Sequence, residues 1–240
     1  MNTCLTVSLV LLSFFQAAPG CNRPSGPPPC PTPPSAPGNY QCRCGTPQVN
    51  RNRIVGGQAA SKNEYPWQVL LSGPGLCGGT LLSTRTVLTA AHCYEDRFVH
   101  KFMIHVQEHD MSRCDGEQKI RPQSFAIHPQ YNANTNDNDL AIIQLSRDVK
   151  FSNTIMPICL PDPNTNYDNQ VSTVTGWGHL KEGGSSPNIL QEVDVDTITN
   201  GACKLVYGYG SRITNNMICA IAPGRDSCQG TLYILPEILR

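Results

Sequence analysis

Between residues 54 and 230 the apolar residues come in short runs, and each run is cut off by a cluster of Gly, Pro, Asn or Asp. Runs at 67–71, 86–89, 140–145, 171–175 and 191–197 carry β-branched and aliphatic residues and are too short for stable helices. No useful stretch repeats its apolar positions with the 3.6-residue helical period. A chain of this kind can bury such runs only as strands, which predicts an all-β sandwich or barrel.

The flanks read differently. Residues 5–15 are almost wholly apolar but fall short of the ~20 residues that a helix needs to cross a bilayer. Ala17, Ala18 and Gly20 follow, with Pro19 directing cleavage to the bond after Gly20. Residues 1–20 therefore read as an export signal, although no Lys or Arg opens them; the other reading is a buried strand. Prolines crowd residues 19–37, which read as a stiff, polyproline-like spacer at the head of a Pro- and Cys-rich segment, 21–53. Residues 231–240 form a short apolar tail interrupted by Pro236.

Composition narrows the function. Charged residues are 15% of the chain and sum to zero, which gives no footprint for nucleic acid or an anionic membrane. Twelve scattered cysteines argue for disulfides in an oxidising compartment; the one close pair, Cys42 and Cys44, has no His cluster beside it. These features predict a secreted, extracellular product.

Chemistry enters with a few side chains. His92 sits beside a cysteine in Thr89-Ala90-Ala91-His92-Cys93, just after a β-rich run. Asp139 heads an apolar strand in Asn136-Asp137-Asn138-Asp139-Leu140-Ala141-Ile142. A partly buried carboxylate needs a partner, and an imidazole N–H is a natural one. Arg53-Ile54-Val55-Gly56-Gly57, Gly176-Trp177-Gly178 and Asp226-Ser227-Cys228-Gln229-Gly230 complete the set. With these motifs in this order, residues 54–230 resemble the chymotrypsin/trypsin family of serine endopeptidases. The resemblance implies two antiparallel β-barrels with the active site in the cleft between them.

It also implies roles. His92 matches the general base, and Asp139 the carboxylate that holds the imidazole in one tautomer. Gly230 matches one oxyanion-hole N–H donor. Asp226 matches the acid at the floor of the primary specificity pocket, implying cleavage after Arg or Lys. Arg53 and Ile54 match the activation bond, to be cut by a trypsin-like protease. No cofactor is required. Protein substrates or protease inhibitors are the implied partners, with neither nucleic acid nor membrane.

Two departures matter. Where the family has its nucleophilic serine this chain has Leu232, which has no proton to give and no lone pair. Losing that nucleophile lowers turnover on the order of a million-fold. Ser227 is near in sequence but matches a pocket position whose side chain does not face the base. The family's activation carboxylate is replaced by Thr231, so an ammonium freed at Ile54 has no charge partner there. The peptidase domain is expected to stop at Gly230, with the second barrel incomplete at its C-terminal side. The expectation is a secreted trypsin-like endopeptidase by family whose 240-residue chain is inactive; the alternative is a non-catalytic homologue that binds proteins or acts as a decoy.

By resemblance residues 21–53 are a propeptide, and Cys77 pairs with Cys93, Cys203 with Cys219, and Cys44 with Cys159, the last tethering that propeptide. Cys228 loses its usual partner, and Cys21, Cys30, Cys42 and Cys114 have no assigned mates. Glu108, Asp110, Asp115 and Glu117 resemble the calcium loop of trypsins, and hard oxygen ligands on one loop suit Ca²⁺. The competing reading of this loop is a solvated acidic surface.

Overall fold

Nearly every β-rich run becomes a strand close to its expected bounds. The computed structural model describes residues 5–8, 44–48, 57–94, 101–114, 116–161, 165–179, 185–206 and 212–221. In chain order the strands are β1 (Leu5–Ser8), β2 (Gln58–Ala59), β3 (Gln68–Ser72), β4 (Leu76–Leu81), β5 (Thr86–Thr89), β6 (Met103–Val106) and β7 (Gln118–Ile120). They continue with β8 (Pro122–Ile127), β9 (Ala141–Leu145), β10 (Val171–Gly176), β11 (Gln191–Ile198) and β12 (Met217–Ile221). The all-β expectation holds.

The first sheet has seven strands in the order β7-β6-β3-β4-β5-β9-β8. Its two ends, β7 and β8, are consecutive in the chain with Arg121 alone between them, so the sheet has to curl until its ends approach. The alternation of side chains across a strand then decides what is buried. Along β6 the second and fourth residues, Ile104 and Val106, are fully buried; along β9 the first, third and fifth, Ala141, Ile143 and Leu145, are. With Val69, Leu71, Leu81, Val87 and Ile120 they fill the curled interior. Each such side chain contributes about 1.5–3 kcal/mol relative to exposure. Gly79 on β4 lies where the strands close up. A Cβ there would stand 3.0 Å from the Leu88 carbonyl oxygen and from Val87 Cγ1, and 3.1 Å from Leu71 Cδ1.

The second sheet runs β1-β12-β11-β10, with β2 also paired to β11. Thr173 and Val193 lie among its paired positions, and a smaller core of Val174, Val195 and Ala220 backs it. Leu5–Ser8, at the head of the segment read as an export signal, pairs antiparallel with Met217 to Ala220. Among the described residues one short α-helix interrupts the β pattern: α1 (Asn200–Val206). Its start is legible afterwards in Thr199, whose hydroxyl accepts from Ala202 N at 3.1 Å, the usual role of Thr at a helix N-cap. The Cys203–Cys219 disulfide joins this helix to β12.

The two sheets are stitched by polar contacts. Thr175 Oγ1 on β10 donates to Gln68 Oε1 on β3 at 2.7 Å. Trp177 Nε1 and Leu190 N both donate to the carbonyl of His109, at 3.3 and 2.9 Å. The Cys44–Cys159 bond ties residues 44–48 onto this body, and Gly45 makes it possible. Gly45 has φ +55°, and a side-chain carbon there would meet Cys159 Sγ at 2.8 Å.

Candidate active site

Strand register brings His92 and Asp139 together. Thr89, the last residue of β5, pairs with Ala141, the first of β9. The chain leaving β5 and the chain entering β9 therefore sit side by side at one end of the first sheet. Beyond Thr89 the backbone turns through a 3₁₀ segment, Ala91–Cys93, with His92 at its centre. Cys93 is bonded to Cys77 on β4, which pins that turn to the sheet. Before β9, Asn136 and Asn138 take left-handed φ of 55° each, a conformation Asn tolerates better than most side chains. The resulting tight loop turns Asp139 toward the histidine.

The pair is doubly bonded. His92 Nδ1 lies 2.5 Å from Asp139 Oδ2, and the His92 backbone N–H donates to Asp139 Oδ1 at 2.8 Å. An ionised carboxylate only accepts, so Nδ1 carries the proton and Nε2 is left as the basic nitrogen. The Asp139 side chain is 12% exposed and that of His92 36%. The carboxylate is thus sheltered while the imidazole meets solvent. Tyr131 is near enough that burial, and secondarily the Asp139 charge, pushes its phenol above the usual range.

His92 borders a cleft of about 680 Å³ between the sheets. Leu70 and Leu76 from the first sheet, Tyr94, Phe102 and Trp177 form much of its wall, with the Cys77–Cys93 bridge beside the histidine. Such a lining can hold an apolar side chain next to a base that can take a proton.

Asp137 is a residue the sequence reading passed over. Its Oδ1 accepts from Thr214 Oγ1 at 2.5 Å and from Asn216 Nδ2 at 3.2 Å, which fastens the Asp139 loop to the segment leading into β12. The run of alternating Asn and Asp at 136–139 was the available signal, but nothing local distinguishes Asp137 from Asp139.

Other expected site residues fall elsewhere. Arg53, Ile54, Asp226, Ser227, Gly230, Thr231 and Leu232 lie outside the described residues, as do Cys21, Cys30, Cys42 and Cys228. Cys114 is an exposed free thiol. The described carboxylates of the acidic loop each have protein partners. Glu108 accepts from His109 N–H and faces His105; Asp110 is held by Ser112 and by Arg113 at 3.0 Å; Glu117 pairs with Lys119 at 3.2 Å. Asp115 lies outside the described residues. Among the described residues no three His, Cys, Asp or Glu side chains are grouped to hold a metal. The carboxylates' negative charge is instead met by protein cations and N–H donors.

Comparison with known proteins is consistent with this geometry. The family model described as Trypsin matches residues 54–231. Trypsin beta of Drosophila erecta is 40% identical over 188 residues, covering 77% of this chain and 73% of that protein. Serine protease filzig of Drosophila melanogaster is 37% identical over 217 residues, covering 83% of this chain. Serine proteinase stubble of the same fly is 36% identical over 205 residues, covering 78% of this chain. The matches span 13% of filzig and 26% of stubble.

Proposed function

The chain belongs to the trypsin family, and we propose that it has the scaffold of a secreted, Arg- or Lys-directed serine endopeptidase while the 240-residue polypeptide itself turns over no peptide bond. One juxtaposition carries this reading: a formed His92–Asp139 pair at the edge of a cleft, in a sequence with Leu232 where the family has its nucleophile. In an active member the serine hydroxyl gives its proton to the imidazole as its oxygen attacks the scissile carbonyl. His92 is oriented to receive such a proton, and an isobutyl group has none to give. Asp226 is the proposed basis of selectivity for basic residues, by ion pairing at the pocket floor.

Processing belongs to the same proposal. Cleavage between Arg53 and Ile54 by a trypsin-like protease would free an ammonium, and Thr231 offers it no carboxylate. The Cys44–Cys159 bond would keep the propeptide attached after such a cut. The three disulfides among the described residues suit an extracellular protein.

The apolar wall of the cleft supports a second reading, a binding protein or decoy that receives protein segments or protease inhibitors without cutting them. The test uses the 240-residue chain, treated with immobilised trypsin and then freed of it. Hydrolysis of an Arg anilide should not exceed that of the His92→Ala variant. Turnover that depends on His92 would overturn the inactive reading; tight binding of a protein protease inhibitor without turnover would favour the second.

A further inference from the structure

A second Ser–His–carboxylate series shares no residue with the His92–Asp139 pair. We propose that Ser72, His105 and Glu108 form a second nucleophilic centre, on the outer face of the first sheet, which takes an activated acyl group with an apolar chain. Ser72 Oγ lies 2.7 Å from His105 Nε2, and His105 Nδ1 lies 3.2 Å from Glu108 Oε2.

Strand pairing sets up this arrangement. Ser72 on β3 stands opposite Leu76 on β4 and Met103 on β6. Leu70, two residues before Ser72, stands opposite His105, which in turn faces Lys119 on β7. Directly opposed residues share a face, as do residues two apart on one strand. Leu76, Ser72 and Met103 thus form one row and Leu70, His105 and Lys119 the next. The serine hydroxyl sits between two apolar side chains, with the imidazole diagonally across from it. Gln107, at φ 66°, turns the chain after β6 so that Glu108 comes back beneath the ring. The Glu108 side chain is 4% exposed, and its second oxygen accepts from His109 N at 3.2 Å.

Chemistry then fixes the proton. The Glu108 carboxylate accepts only, so Nδ1 is the protonated nitrogen and Nε2 accepts from the Ser72 hydroxyl. Burial, and then the Lys119 ammonium, push the His105 pKa below its ordinary 6.5, while Glu117 pulls the other way. The ring is consequently a neutral base at neutral pH. This is the tautomer and charge state in which a histidine activates a serine.

The step balances as an acyl transfer. Ser72 Oγ bonds to the carbonyl carbon of an aryl ester while its proton passes to His105 Nε2. The carbon–aryloxide bond breaks, the aryloxide leaves with the electron pair, and it is protonated by the imidazolium. Acyl-Ser72 and a phenol are the products, with no external oxidant or metal. The centre is independent of the reading offered for His92.

The experiment uses p-nitrophenyl butyrate on the 240-residue chain. The expected result is a burst of about one nitrophenol per chain, with the butyryl group mapped to Ser72 by peptide mass spectrometry. Ser72→Ala should abolish the burst. Glu108→Gln, which keeps the hydrogen-bonding shape, should slow it at least roughly tenfold. An adduct on Lys119 instead, no adduct on Ser72, or a Glu108→Gln rate equal to wild type with native circular dichroism would overturn the proposal. Label at Ser227 that disappears in His92→Ala would instead count against the inactive reading of the cleft.

Discussion

Thr214 donates its hydroxyl hydrogen to Asp137 across 2.5 Å, and through this bond the loop that carries Asp139 is fastened to the segment entering β12. Asn216 adds a second donor to the same carboxylate at 3.2 Å. The base–carboxylate pair is built on the first sheet, but the second sheet's approach holds its loop in place.

Asp137→Ala should therefore cost more than an ordinary surface substitution. Hydrogen bonds to a charged acceptor contribute about 1.5–3 kcal/mol. A loss in that range is expected in urea unfolding, with faster amide exchange in residues 130–140. Unchanged stability and exchange would show that the clamp contributes nothing.

Trypsin should cut Arg53–Ile54, and the fragments should stay together until reduced, because Cys44 is bonded to Cys159. A non-reducing gel of the cleaved protein checks this. Separation of the fragments without reductant would disprove the tether.

Ile143 is fully buried between β5 and β8. Ile143→Ala should destabilise the fold by about 2–5 kcal/mol, through lost burial and the cavity left behind. Gly79→Ala should cost about 1–3 kcal/mol for the opposite reason, because its methyl meets a backbone carbonyl and two packed side chains. Denaturant midpoints measure both, and a neutral Gly79→Ala would mean that β4 and β5 separate without penalty.

Stability should fall as pH drops below 6.5, in part because of His105. Its folded pKa is depressed from 6.5 by burial and by Lys119. Between that lowered value and 6.5 the unfolded chain binds more protons than the folded one, so acid favours unfolding in this window and the effect is flat above it. His105→Gln should unfold with a smaller loss of stability between about pH 7.5 and 5.5. Equal slopes for the two proteins would remove His105 as the cause.

Strand positions were readable because period-2 burial is written locally. Ile104 and Val106, or Ile143 and Leu145, alternate with half-buried neighbours, and any packing that hides one residue of such a run hides its partner. Helix α1 escaped because seven residues are too few to establish a helical period. A threonine cap and a disulfide hold it, and neither appears as periodicity.

The site divides the same way. His92 and Asp139 stood out through the motifs around them, and the proposal for Leu232 rests on the sequence and its family resemblance. The partners of the acidic loop were not legible, because the pairing of Arg113 with Asp110 and of Lys119 with Glu117 is set in space. Ser72 and His105 gave no sign of each other in the chain. Residue types and strand alternation follow from the sequence alone, since each depends on covalent structure or on near neighbours. Which carboxylate faces His92, which faces Thr214 and which sits under His105 depends on the register of strands far apart in the chain. A one-residue slip in that register would turn each of those side chains to the opposite face.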